Sequence, residues 1–242
     1  TFKGWEKEGN GEINGNVFKM KTEDTTLRAT YEEKSYKIIY DGNTGEGEME
    51  ADVFGYEVES NRTLKANTYE KEGYKFKGWS EERNSEVKYE GGESLKEIAN
   101  ALEEAKEEEK TIYAVWEAIS YTIIYDKDEE TTGEMENQEF RYDERKALRK
   151  NTYEKEGYTF KGWEYKETVL EDEQEVENLC KEDGEEIHIR AKFEKNKYTV
   201  TFMDQNSVYE IKENIEYGST VTAPSTKPAK EYNKFIGWKK NG

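Results

Sequence analysis

The sequence predicts an α+β fold, a tandem array of small modules each built from four short strands and one helix. Three observations carry this expectation. The stretch NTYEKEGYxFxGW occurs as Asn67 to Trp79 and again as Asn151 to Trp163, and its FxGW core recurs at Phe2 to Trp5 and Phe235 to Trp238, so that all but one of the five tryptophans share one motif. Self-similarity at a spacing of roughly 75 to 85 residues is what a string of whole small domains produces. Short runs such as YKIIY and YTIIY alternate large apolar and other residues with the period of two that places one set on a single strand face. Finally, Ser94 with Glu97 and Asp172 with Glu175 have the spacing of a helix capping box followed by apolar residues.

Taken in order, Thr1 to Ser35 reads as the back half of a module, with the motif, a Gly/Asn-rich turn at Gly9 to Gly15 and an alternating stretch at Leu27, Ala29 and Tyr31. A complete repeat is expected over 36–117. Its opening strand puts Tyr36, Ile38 and Tyr40 on one face, a turn follows at Asp41 to Asn43, and Phe54, Tyr56 and Val58 mark the second strand. Thr63 to Glu72 crosses to the motif strand, a helix runs from Ser94 to about Glu109 on the stripe Leu95, Ile98, Leu102 and Ala105, and Ile112 to Trp116 closes the module. A second complete repeat is expected over 121–194, with strands at Tyr121 to Tyr125, around Phe140 and Tyr142, and at Tyr158 to Trp163. A shorter helix is expected from Asp172 to Gly184, with Cys180 beside Val176 and Leu179, before a closing strand at Ile187 to Phe193. The last segment, 198–242, reads as a front half, with strands at Tyr198 to Phe202 and near Ile211 to Tyr217 and with both prolines of the chain, Pro224 and Pro228, before the motif. The linkers Glu117 to Ser120 and Glu194 to Lys197 are short and charged at their ends, which suggests an elongated, semi-rigid arrangement.

The 242 residues carry 37 basic and 56 acidic side chains, a formal net charge of −19. That balance repels nucleic acid and anionic headgroups, so neither is expected as a partner. High charge with low hydrophobicity is also a mark of disorder, but eighteen Tyr, nine Phe and five Trp at recurring positions argue for many small cores. No apolar run approaches the roughly 18 residues of a membrane span, so this segment is not expected to insert. The chain opens without an initiator Met or a basic leader and reads as a piece of something longer.

YTVTF, YGSTV (Tyr217 to Val221), PSTKP and FIGW in one half-module, and GYTFKGW with a closing strand such as IYAVW (Ile112 to Trp116), resemble the Listeria-Bacteroides repeat, the B-repeat of internalin-like surface proteins. The resemblance spans essentially the whole chain. It implies small β-grasp (ubiquitin-like) modules, each a four-stranded mixed sheet with one helix, in tandem on extracellular, cell-wall or surface proteins of mainly Gram-positive bacteria. There they serve as spacers and sometimes as adhesive modules. The present modules are longer than the compact form, and the first two crossovers lack its prolines.

The search for chemistry yields no catalytic, cofactor-binding or metal residues. His188 is the only histidine and reads as a solvated strand residue, since neither a triad nor a zinc site can be assembled around it. Cys180 is the only cysteine and reads as a small buried apolar residue, with no disulfide possible within the chain. Asp41 to Glu46 starts like a calcium loop but has Glu46 at the sharp-turn glycine and Asp52 at the twelfth position, so it reads as a β-turn. Gly9, Gly11 and Gly15 lack a following helix and read as a loop; Asn61 is a glycosylation acceptor by letter only. The charged face Lys96, Glu97, Glu103, Glu104, Lys106 and Glu107 reads as solvated, and the motif tryptophans read as core caps in preference to sugar platforms. The expectation is a monomeric, non-enzymatic stalk or spacer of a bacterial cell-surface protein. The alternative is that the repeats themselves are an adhesin for a host or extracellular-matrix protein or a glycan, with exposed sheet edges open to strand addition.

Overall fold

The computed structural model describes residues 2–240, and the chain falls into two compact units, Thr1–Ala118 and Ile119–Gly242. In the first unit, β1 (Phe2–Glu8) is followed by a small hairpin of β2 (Glu12–Asn14) and β3 (Val17–Lys19), and then by β4 (Thr26–Tyr31), which lies antiparallel to β1. A complete repeat follows with β5 (Ser35–Asp41), β6 (Asp52–Gly55), β7 (Tyr74–Ser80), helix α1 (Leu95–Ala105) and β8 (Glu109–Ala118). Its sheet has the order β6-β5-β8-β7, with β5 and β8 parallel and the outer pairs antiparallel. Alternation on β5 sends Tyr36, Ile38 and Tyr40 inward, where they meet Phe54, Trp79, Ile112 and the buried helix side chains Leu95, Ile98, Ala99 and Leu102.

Helix α1 forms where the stripe and the cap agree. Ser94 is extended (φ −64°, ψ 127°) and its side chain accepts from the Lys96 N–H. The helix ends earlier than the sequence suggests, at Ala105, because Lys106 takes the left-handed conformation (φ 59°). There the Glu107 N–H reaches the Leu102 carbonyl and the Lys106 N–H reaches Glu103, the paired bonds of a Schellman ending made without glycine. The second strand of this repeat is also shorter than expected. The chain turns after Gly55, so Tyr56 lies outside the strand.

The second unit holds β9 (Ser120–Asp126), β10 (Gln138–Arg141), β11 (Lys146–Ala147), β12 (Tyr158–Tyr165), β13 (Thr168–Leu170), β14 (Glu175–Val176) and β15 (Glu186–Lys195), and then β16 (Lys197–Asp204) and β17 (Ser207–Glu216). The order β10-β9-β15-β12 repeats the sheet of the first unit, again with a parallel central pair, and β13 extends it by a fifth strand. Tyr121, Ile123, Tyr125, Phe140, Trp163, Ile187 and Ile189 form its core.

The expectation of tandem β-grasp modules, each with a helix, is corrected by this structure. The chain is mostly β, and α1 is the one helix among the described residues. Where a helix was expected from Asp172 to Gly184, the chain makes a turn, the short pair β14 with β11, and a further irregular turn. The capping letters are engaged elsewhere: the Asp172 carboxylate accepts from the Asn151 N–H at 2.8 Å, and Glu175 pairs with Arg145 at 2.9 Å. Glu173 and Asn178 both have positive φ (57° and 52°), which a helix does not allow. The stripe Val176, Leu179 and Cys180 is only one turn long, too little to outweigh those local bonds; Val176 and Cys180 are buried without a helix.

The motif is explained by a bulge. Phe76 and Trp79 are three residues apart and would face opposite sides of a regular strand. Between Phe76 and Gly78 the register against β8 slips, and Gly78 has φ 149°, so both rings come to the core face. The same slip occurs at Phe160 and Gly162 and at Phe2 and Gly4, and in all four copies the Phe and Trp rings meet edge to face with centroids 5.0–5.4 Å apart. The glycine is needed twice over, since a Cβ at Gly162 would stand 2.3 Å from the Leu170 carbonyl oxygen and one at Gly78 2.5 Å from that of Tyr89.

The flanking segments contain parts of the same plan. The β1–β4 pair reproduces the motif and closing strands, and the β16–β17 hairpin reproduces the opening and second strands. Trp79 and Trp163 are fully buried, whereas Trp5 is 43 % exposed and Trp238 rests half-buried on Phe202, Tyr209 and Phe235. No buried large side chain occurs in either flank among the described residues.

Candidate functional site

The repeated motif is where a repeated function would lie, and its side chains are engaged in holding the fold. Asn67 closes on Tyr69, its amide donating to the Tyr69 carbonyl (2.9 Å) and accepting from the Tyr69 N–H (3.0 Å). Asn151 and Tyr153 repeat the pair at 3.0 and 2.9 Å. Thr68 donates to the Glu48 carbonyl and Thr152 to that of Glu134, and the Tyr69 and Tyr153 hydroxyls return to the opening strand, donating to the carbonyls of Tyr40 (2.8 Å) and Tyr125 (2.6 Å). These bonds pin the crossover beneath the sheet and leave no reactive group of the NTY segment free.

One buried polar constellation escaped the sequence reading. Asp52, 3 % exposed, accepts from the Tyr40 hydroxyl at 2.6 Å and from Arg62 at 3.3 Å, and the Tyr40 oxygen in turn accepts from the Lys65 N–H at 2.9 Å. Burial first, then the Asp52 hydrogen bond, pushes the Tyr40 phenol far above its ordinary pKa. The other complete repeat gives the decisive comparison. Gln138 stands in the place of Asp52, accepting from Tyr125 at 2.5 Å while the Tyr125 oxygen accepts from the Arg149 N–H at 2.8 Å. The wiring survives the loss of the charge, so its task is to satisfy a buried tyrosine. The signal was available as a polar residue two before the core phenylalanine, in Asp52–Phe54 and Gln138–Phe140.

The remaining candidates resolve individually. At the would-be calcium loop, Asn43 donates its N–H to Asp41 (2.7 Å), the Gly45 N–H closes on the Gly42 carbonyl (2.8 Å), and Arg83 holds the Asp41 carboxylate at 2.5 Å. Trp116 donates its indole N–H to Gly42 at 2.8 Å, so the turn is a bound corner of the repeat. Among the described residues no group of three or more His, Cys, Asp or Glu is placed to hold a metal ion. His188 lies on β15 between the inward Ile187 and Ile189, points to the outer face, and meets Asp126 of the neighbouring parallel strand at 3.1 Å. Cys180 is buried on the inner face, its thiol bonded to Glu185 at 3.0 Å, and burial followed by that carboxylate raises its pKa. A surface hollow of about 480 Å³ has both residues on its wall. Yet a protonated thiol on one side of the sheet and an imidazole aimed from the other make no nucleophile–base pair.

On the outer face of α1, Glu103 accepts from Lys34 (2.7 Å) and from the Tyr36 hydroxyl (2.6 Å), and Lys96 lies 3.8 Å over the Tyr56 ring. Asn61 sits in an exposed turn, and Gly15 with Asn16 turns the β2–β3 hairpin. No helix among the described residues is long and apolar enough to cross a membrane.

Fold and motif together define a tandem-repeat β protein whose repeated side chains build each sheet and its crossover. The chain belongs to the Listeria-Bacteroides repeat domain family, whose sequence model matches residues 36–115, 121–180 and 198–242. Two relatives come from Evansella cellulosilytica. One, named "Putative Gly-rich membrane protein", is 30 % identical over 98 % of this chain and 26 % of its own length. The other, named "Putative membrane protein", is 31 % identical over 88 % of this chain and 29 % of its own length. The chain thus spans between a quarter and a third of these relatives. No solved structure matches it.

Proposed function

We propose that this chain is a non-enzymatic spacer segment of a bacterial surface protein, with repeats that supply length and a charged, soluble exterior. The family membership and the long relatives named as membrane proteins support a repeat stretch within a larger surface-associated chain. The observation that carries the reading concerns the outer surface. An adhesin built from repeats would present an apolar or aromatic patch at equivalent positions of each. Among the described residues, the exposed large apolar side chains of the two complete repeats are Val53 and Tyr56 in one and Val169 in the other; Tyr142, at the position of Tyr56, is partly covered, so no exposed patch recurs at equivalent positions. Glu139 stands where Val53 would repeat, and the net charge of −19 keeps such surfaces apart.

The test is binding of the full chain to a panel of immobilised extracellular-matrix proteins and glycans, with calcium and with chelator. The spacer reading expects no saturable signal from the folded protein. A saturable signal lost on changing Val53, Tyr56 or Val169 would instead make the repeats the adhesive element.

A further inference from the structure

The second unit contains a joint between a complete repeat and the hairpin that follows it. Asn196 alone separates β15 from β16. Its N–H donates to the Gly157 carbonyl at 2.8 Å, extending the β12–β15 ladder beyond Tyr158 and Lys195. Its own carbonyl accepts from the Tyr217 N–H at 2.9 Å, extending the β16–β17 ladder beyond Lys197 and Glu216. One residue therefore belongs to two sheets. Its side chain is also fixed, accepting from the Thr159 hydroxyl at 2.5 Å.

Against this peptide sits Tyr217. Its ring covers Gly157 so closely that a Cβ there would lie 2.1 Å from the Tyr217 Cγ, and it meets the Tyr158 ring at 6.2 Å with an interplanar angle of 64°. Gly157 has φ 75°, so the position demands glycine both for its backbone and for the seat. Glu156 stands beside the Tyr217 hydroxyl and holds its pKa above the usual phenol value. Within the same unit, Tyr142 holds the position of Tyr217 one repeat earlier, and its N–H donates to the Ile119 carbonyl at 3.0 Å.

We propose that the Gly157 face is an interaction surface for the next repeat, a seat into which that repeat's second-strand tyrosine locks so that successive sheets hold a fixed relative orientation. This gives a task to Gly157 at the end of the repeated EKEG segment, whose Glu154 and Lys155 serve their own repeat through the Thr132 backbone and the Asp128 carboxylate. The backbone freedom of the single linker residue would otherwise let the hairpin swing. A tyrosine ring on a glycine, with one residue shared between ladders, removes that freedom, and stability in such an array then includes a nearest-neighbour contribution. The inference deepens the spacer reading and rests on it for its purpose, since reach depends on joints that keep their direction.

The experiment measures inter-label distances by double electron–electron resonance in the full chain, with Cys180→Ser, Glu171→Cys and Asn206→Cys as background. That background should give one narrow distribution. Tyr217→Ala and Gly157→Ala should each broaden it at least twofold, while Tyr217→Phe, which keeps the ring, should leave it narrow. The near-UV signal of the buried Trp163 must persist in Tyr217→Ala, showing that the repeat is intact. An unchanged width in Tyr217→Ala, or equal broadening by Tyr217→Phe, would overturn the clamp. Saturable binding in the surface assay would overturn the spacer reading and leave the clamp standing.

Discussion

Glycine 162 shows how much one residue decides. The motif was legible as repetition, and its role in packing was readable from the company of Phe and Trp. The bulge was not, because strand alternation assigns Phe160 and Trp163 to opposite faces and only the slipped register brings them together. Bringing Trp163 wholly inside removes about 150–250 Å² from water, roughly 4–6 kcal/mol at about 25 cal/mol per Å². The same limit hid Asp52, which the sequence reading met only as a mismatch at the twelfth position of a calcium-loop pattern and the fold uses as the partner of Tyr40. Gly162→Ala separates backbone strain from collision. It should destabilise its repeat by about 2–4 kcal/mol, because φ 131° is strained for alanine and the new methyl meets the Leu170 carbonyl. Gly184→Ala, in the same repeat at φ 75° with open space around it, should cost only about 1 kcal/mol. Urea unfolding followed by tryptophan fluorescence measures both, and equal costs would remove the collision from the account.

Among the elements, the two expected helices had capping boxes of the same spacing and met different fates. At Ser94 the cap is followed by a stripe of which Leu95, Ile98 and Leu102 are buried, with Ala99 beside them, while Ala105 at the helix end is exposed. At Asp172 the stripe is one turn long, and a loop of the same repeat supplies an N–H, from Asn151, that competes for the cap. Capping letters therefore identify a helix only when enough apolar periodicity follows to hold it. The ending of α1 was equally hidden, since a Schellman ending is usually announced by glycine and here uses Lys106 at φ 59°. That choice leaves a gain available. Lys106→Gly should raise stability by about 0.5 kcal/mol, the relief of left-handed strain slightly exceeding the lost charge at the helix C-terminus. The midpoint of chemical unfolding should rise and amide exchange over Leu95–Ala105 should slow. A fall in either would mean that the lysine side chain contributes more than its backbone costs.

At the scale of the molecule, repeat number and sheet content were legible because aromatic residues recur at fixed places, whereas the mostly-β class was not, since it depended on a helix that local bonds prevented. The aromatic cores have a consequence for pH. Burial, aided by Glu103, pushes the Tyr36 phenol up to about 12, and burial also raises Tyr40, Tyr69, Tyr89, Tyr121, Tyr125 and Tyr153. A tyrosine whose folded pKa is raised contributes stability that is complete below the unfolded pKa of about 10 and is lost as pH climbs through the folded value. Each phenolate adds to a chain already at −19, so self-repulsion acts in the same direction. Stability should therefore stay level from pH 8 to about 9.5 and fall steeply between about 10 and 12. Tyrosinate absorbance should rise in two steps, the second coinciding with loss of the near-UV signal, and added salt should move that second step to higher pH by screening the repulsion. Titration of all eighteen tyrosines in one wave near pH 10 with the near-UV signal intact would show that the core phenols are open to water and would contradict the packing of both repeats.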